Sequence, residues 1–502
     1  MTTPLRVAAA GAGADDPAGE FSYAPGSAAY DEIHRALPDR QILERYDAVM
    51  RNPVASAAER RAAQLEILHQ VKVAPLRLFR QLRSERPVLD LDTVELYVVT
   101  RDDDVRLILN TPTVCSVRDY RDRMEPVVGP YMLNRDAHPR YNMEEKPWMR
   151  TLLRPADFPR IRDIARDSAR DGIARGTDAG GQLDVVAHLG RAVPVAVVRA
   201  YFGFRATPEK LLEWSFKTQD SFFHNVAYLR GLRGFLVRTF GVGGAALQAA
   251  QREALAVHGA AIAAGEEMRR FLTDELEQHR AEILASDTVF GRMLAGNGGL
   301  SFPKQQDRMI ANVIGGLVGA VETTNAAIVQ SLNQLLAVPQ RLEAARRAAQ
   351  AVGADTAIQT TPFAGCVWEA LRFHPINPFV VRYVEQDTVI GAGDQAVRLR
   401  RGRRVLVATH SAMHDPLTVH NPDDFDVARP QRDREMNLGY ATHRCLGDAV
   451  AEVMVPETIR QLLLLPGLQR VPEAPPIPIN QGIDFGRRGS FPERYLVRYT
   501  RG

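Results

Sequence analysis

Asn437-Leu438-Gly439-Tyr440-Ala441-Thr442-His443-Arg444-Cys445-Leu446-Gly447 is the stretch on which the reading of this chain turns. A Gly-bearing turn and a His precede the cysteine, and Gly447 and a long apolar helical stretch follow it. Such an arrangement holds a thiolate beside a helix N-terminus, where backbone N–H groups stabilise negative charge. It therefore reads as a site where Cys445 presents its sulfur to a metal cofactor, and the iron of a haem fits best.

The rest of the composition narrows the class. The chain has 502 residues, 45% apolar and 25% charged, as ordinary globular proteins do. A net charge of +3 is too weak to point to nucleic acid. Its basic residues include only five lysines, so arginine clusters carry little weight as binding signals. Cys115, Cys366 and Cys445 cannot form a disulfide framework, which makes a reducing cytosol the expected location. The N-terminus lacks the basic start and apolar core of a signal peptide. The apolar segment Met309 to Leu336 carries Glu322 and several Asn, Gln and Thr, so it reads as a buried helix and not as a transmembrane segment.

Along the chain, residues 1–29 are rich in Ala, Gly and Pro and are expected to be a disordered extension. Residues 30–502 are read as one large domain. LDLDTVELYVVT alternates like strands, and most of Trp148 to Gln278 reads as helix, broken at Pro155, Gly176 and GVGG 241–244. Asp307 to Leu336 reads as one long helix, and AGCVWEALRFHP as another that Pro375 ends. After it, VVRYVEQDTVI and VRLRRGRRVLVATH read as short hairpin strands. The fold class is mainly α with a minor β part.

Two further patterns carry chemistry. Glu369-Ala-Leu-Arg372 puts a carboxylate and a guanidinium on one helix face. That spacing is common on solvated helices, but here the neighbours are apolar and a buried pair needs another partner, which Arg429 could supply. Gly319-Ala320-Val321-Glu322-Thr323-Thr324 places an acid and hydroxyls inside the long apolar helix. One reading is Thr bonding back to the preceding turn, with Glu322 at a satisfied interhelical contact. The other is a loosened helix where Glu322 and Thr323 relay protons to a bound molecule.

Taken in order, the acid–Thr helix, the Glu-x-x-Arg pair and the cysteine loop resemble the cytochrome P450 family, over roughly residues 60–500. The pair precedes the cysteine by 445 − 369 = 76 residues, as in the family. The resemblance implies a haem-thiolate monooxygenase of the bacterial type. It would insert one oxygen atom from dioxygen into a hydrophobic small molecule, with electrons from a separate ferredoxin or flavodoxin. Cys445 would ligate the iron of haem b, and Glu369, Arg372 and Arg429 would form a structural salt-bridge triad. Glu322 and Thr323 would supply protons. Arg382 and His443 would hold haem propionates, and Trp148 and Arg150 would lie over the haem edge. Lys146 stands where many bacterial members have His.

The loop also departs from the family pattern. Leu438 replaces a usual Phe and Ala441 a usual Gly, so the loop is expected to be shaped differently and Leu438 to alter the reduction potential. Ala320 replaces a commoner Gly and, on this resemblance, would narrow the groove for oxygen. Phe222, Phe223 and His224 would lie near the substrate, or pack as core. Arg432, Arg434 and Arg444 would offer a basic face to an acidic electron donor, or be solvated. A monomer is expected. Three other readings stay open: a peroxide-driven haem-thiolate enzyme, against which Glu322–Thr323 argues, a non-catalytic haem protein that binds gas or carries electrons, and a helical binding protein with no haem at all.

Overall fold

The apolar run around Val321 folds as one helix, Gln306–Ala337, and becomes the axis of the molecule. Leu317, Val318, Val321, Ile328, Leu332 and Leu335 on it are buried, and each contributes about 1.5–3 kcal/mol by leaving water. That burial outweighs the weak helix preference of its Val, Ile and Thr residues. Several of its polar positions are partnered. Asn312 donates to Glu145 at 2.6 Å, Asn325 donates to the Pro492 carbonyl at 2.8 Å, and Asn333 accepts from Tyr495 at 2.9 Å. Among the described residues it is the one helix long and apolar enough to cross a membrane, but 72% of its most apolar window is buried against protein.

The computed structural model describes residues 40–73, 75–136, 140–224, 245–296, 306–471 and 491–500. The expected extension 1–29 and the Gly-rich break at 241–244 lie outside them. Around the central helix pack Pro362–Phe373, which bears the Glu-x-x-Arg pair, and the cysteine helix Asp448–Leu463, itself seated on Phe158–Gly176. Pro208–Gln219 and Ala245–Gln278 pack against its other side. Local chemistry sets these boundaries. Thr361 accepts from the Ala364 N–H at 3.3 Å with Pro362 in the first turn, and Pro375 forces His374 out of helix to φ −136°.

The minor β part is a sheet ordered β1-β2-β8-β5-β3, from Val88–Leu91 (β1), Leu96–Val99 (β2), Cys115–Ser116 (β3), Val380–Val384 (β5) and Arg404–Val407 (β8). Only β2 and β8 run parallel. β2 is buried on both faces: Tyr97 and Val99 join one apolar cluster, Leu96 and Val98 another. Thr388–Ile390 (β6) and Val397–Leu399 (β7) form the expected hairpin, nested between β5 and β8, which pair with each other. Gln182–Asp184 (β4), Leu496–Arg498 (β10) and Gln469–Arg470 (β9) make a terminal sheet in the order β4-β10-β9.

Candidate haem-thiolate site

The cysteine loop keeps the backbone that its departures had put in question. Gly439 has φ +78°, and a Cβ there would meet the His443 carbonyl at 2.8 Å. Ala441 has φ +50°, one of three non-glycine residues with positive φ among the described residues. The expectation of a differently shaped loop is thus corrected: Ala441 takes the left-handed step itself and bears a strain of about 1 kcal/mol. The loop is closed by the Cys445 N–H, which donates to the Leu438 carbonyl at 2.7 Å.

Cys445 is partly buried at the start of the cysteine helix. Desolvation raises its thiol pKa, against a downward pull from the Gly447 N–H, Lys146 and Arg444. Lys146 Nζ donates to the Thr442 carbonyl at 2.5 Å, and desolvation pushes its pKa down to about 8. Arg150, half-exposed, donates to the Cys445 carbonyl at 3.2 Å and lies 3.6 Å from Asp448. Trp148 is buried on the helix Lys146–Thr151 and faces Gly296.

His443 and Arg382 meet at Asp136, which the sequence reading did not identify. His443 Nε2 is 3.7 Å from Asp136 Oδ1, too far for a hydrogen bond, and burial lowers its pKa. Arg382 on β5 is buried, and its hydrogen bond goes to its neighbour's carbonyl, Val381, at 3.0 Å.

The central helix is buried except along one stripe. Gly316, Gly319, Ala320 and Thr323 follow the i, i+3, i+4, i+7 spacing of a single face, and each is partly or fully exposed. A Cβ added at Gly316 or Gly319 would meet nothing within 4 Å. Thr323 lies on this stripe and its hydroxyl donates to the Gly319 carbonyl. Glu322 points elsewhere: buried, it accepts from Arg191 Nε at 2.8 Å and Nη2 at 3.2 Å, and from Asn325 at 3.2 Å. Both local satisfactions weighed from the sequence, the back-bonded Thr and the interhelical Glu, are therefore present. Arg191 was not anticipated. It lies 131 residues from Glu322 and no local pattern marks it.

The Glu-x-x-Arg pair is fully buried. Glu369 accepts from Arg372 at 2.7 and 2.9 Å and from Arg429 at 2.8 Å, so the triad is formed. Of the expected basic face, Arg444 is taken up by Asp448 at 2.7 Å and Glu435 at 3.7 Å, Arg434 is partly buried, and Arg432 is exposed. Phe222 is buried as core, whereas the side chains of Phe223 and His224 lie outside the described residues. Cys115 and Cys366 are buried, and desolvation holds each thiol up at about 11.

These residues fit a haem. A flat macrocycle needs a helix face without side-chain bulk, a soft donor, and cations for two carboxylates. Gly316, Gly319 and Ala320 supply the first and Cys445 the second. The third is met by Arg382, His443 with its unbonded Nε2, and Lys146.

Comparison with known proteins bears on the same point. The family model for cytochrome P450 matches residues 304–483. Nocardicin C N-oxygenase of Nocardia uniformis subsp. tsuyamanensis is 26% identical over 80% of this chain and 91% of its own length. Pulcherriminic acid synthase of Bacillus subtilis is 21% identical over 75% and 84%. The structure of CalO2 superposes with a TM-score of 0.65 at 22% identity, covering 86% of this chain and 97% of that one. CYP109E1 from Bacillus megaterium, solved with testosterone, gives 0.64 at 18% identity, covering 86% and 99%. With the family's motifs in place on the fold these proteins share, the chain is similar to the cytochrome P450 haem-thiolate monooxygenases.

Proposed function

We propose that Cys445 is the thiolate ligand of haem b and that the stripe Gly316–Thr323 is the helix face over which oxygen is activated. The observation that carries this is a pairing. Tyr131 packs on Gly315, beside the open stripe of the central helix, and lies near enough to Cys445 to be influenced by it, which supports a single space between the sulfur and that face. Bound there, a haem supplies the redox chemistry that activates dioxygen and places one oxygen atom in a hydrophobic organic molecule.

The surrounding residues take roles their chemistry suits. Arg382, His443 and Lys146 bind the haem's acid groups, which relieves three buried cationic or orphaned groups. Trp148 covers the haem edge. Arg150 instead braces the Cys445 carbonyl, fixing the direction of the sulfur. Ala320 lines the groove beside Thr323. Thr323 holds a proton at its hydroxyl on the open face, and Glu322 replenishes it from the cleft lined by Arg191, Gln219, Asp220 and Glu493. Arg191 holds the Glu322 carboxylate in place. Electrons come from a separate ferredoxin or flavodoxin, docking beside Arg432 and Arg150. We place the protein in the cytoplasm as a monomer, without a nucleic-acid partner.

The test is the carbon monoxide spectrum of the reduced protein. The chain should show the red-shifted band of a thiolate-ligated haem, and Cys445→His should keep haem without that band. A wild-type protein lacking the band would refute the assignment. Turnover with electron donor and dioxygen, well above turnover with peroxide alone, separates a monooxygenase from a peroxide-driven enzyme.

A further inference from the structure

We propose that Arg123 is an anchor for an acidic group on the substrate, so that this enzyme prefers hydrophobic carboxylic acids. The inference rests on the haem-thiolate reading for its reaction, but it comes from a separate observation. Arg123 lies on the helix Arg118–Val128, which packs against the central helix, β5, Ala245–Gln278 and the turn Asp220–His224. It is only 5% exposed. Its one hydrogen bond is from Nε to the Asp119 carbonyl in the preceding turn, at 3.2 Å, while Nη1 is buried with no partner. Beyond that it lies against the Tyr120 ring, 5.1 Å from the centroid.

The carboxylates nearby are already committed. Asp119 is taken by Arg404 at 2.6 and 3.1 Å. Glu385 accepts from Ser116 and is paired with Arg118. Asp136 accepts the Val117 N–H at 2.8 Å and faces His443. A guanidinium does not shed its proton, and a buried one with an idle N–H is costly unless an anion completes it. Among the described residues no side chain completes Arg123, so the completing anion comes from outside.

The neighbouring polar groups on the elements packed against this helix suit an acid. Ser221 and His258 hydrogen-bond at 2.9 Å, both buried. Burial and the charge of Arg123 both disfavour protonation of His258, so it adds no second cation. A planar carboxylate matches the fork of a guanidinium. Arg382, by contrast, sits with His443 and Asp136 and serves the cofactor in the reading above.

The test uses the haem-loaded full chain and matched ligands: straight-chain and para-alkylbenzoic acids, each against its primary amide. Binding is followed by the haem spin-state change and, independently, by calorimetry. The best acid should bind about 10- to 100-fold tighter than its amide. Arg123→Gln should bring that ratio near one, and Arg123→Lys should keep part of it. The proposal is overturned if no acid in the series is preferred, if the preference survives in Arg123→Gln, or if that variant instead loses haem. Should Arg123→Gln not fold, the wild-type ratio and Arg123→Lys still decide. A chain without haem would fail the haem-thiolate reading alone, because calorimetry would still read acid against amide.

Discussion

Replacing Glu369 with Gln should be among the most damaging single substitutions that leave side-chain volume unchanged. Its carboxylate is fully buried and accepts from Arg372 twice, from Arg429, and from the Asp426 N–H at 3.1 Å. The two guanidinium groups use their other N–H groups on carbonyls: Arg372 on Met413 and Asp424, Arg429 on His420, Asn421 and Asp424. Among the described residues Glu369 is therefore the one carboxylate paired with two buried cations that hold the segment leading to the cysteine loop. Breaking one buried pair costs about 3–5 kcal/mol, and with both cations sharing this carboxylate the upper end applies. Gln preserves one acceptor but turns an amide N–H toward an arginine. In urea unfolding followed by circular dichroism, the midpoint should fall by roughly 1–2 M. Cys445 should also react faster with a thiol reagent, because Arg429 lies 445 − 429 = 16 residues before it in sequence. Glu369→Asp, which keeps the charge, should lose less. A midpoint unchanged in Glu369→Gln would refute the reasoning, since two uncompensated buried cations cannot be free of cost.

Three other outcomes are expected. Ala441→Gly should raise stability by about 1 kcal/mol and Ala441→Val should lower it, because the residue sits at φ +50°; equal unfolding midpoints for all three would deny the strain. His374, held neutral by burial with a pKa lowered to about 4, and His414, whose pKa burial also lowers, bind protons more readily unfolded; their stability is full above about pH 6.5 and is lost as pH falls toward 4. His374→Gln should flatten that slope in pH-dependent urea titrations, by roughly 3 kcal/mol across the window. Arg191→Met leaves Glu322 buried with only Asn325, so the variant should be destabilised by about 1–3 kcal/mol near neutral pH and recover part of this in Arg191→Met/Glu322→Gln; a double variant no better than the single would show that the ion pair is not the source.

What was legible in the sequence was whatever local spacing or composition encodes. Glu369 and Arg372 are one turn apart, and their apolar neighbours were enough to predict burial. The central helix was visible because its apolar run is far longer than a strand, and its observed ends, Gln306 and Ala337, fall within a residue of the expected ones. The partners were not legible. Arg191 and Asp136 reach the site from distant parts of the chain, and their use depends on packing that no short window records. The direction of Glu322 was equally hidden. It is adjacent to Thr323, yet one residue of helix turns it about 100° off the open stripe and onto Arg191.

Ala441 shows why departures from a pattern need the structure before they are interpreted. The missing glycine suggested a different loop. The loop instead keeps its left-handed step, because the closing bond from Cys445 to Leu438 and the turn at Gly439 over-determine the backbone between them. Lys146, bonded to Thr442 from the neighbouring helix, adds a tie that a His at that position, with a shorter reach, would make differently. Strain at Ala441 and the extra tie at Lys146 act on the same few residues, so exchanging either alone should perturb the sulfur more than exchanging both. That non-additivity is what would separate a loop tuned as a unit from two unrelated substitutions.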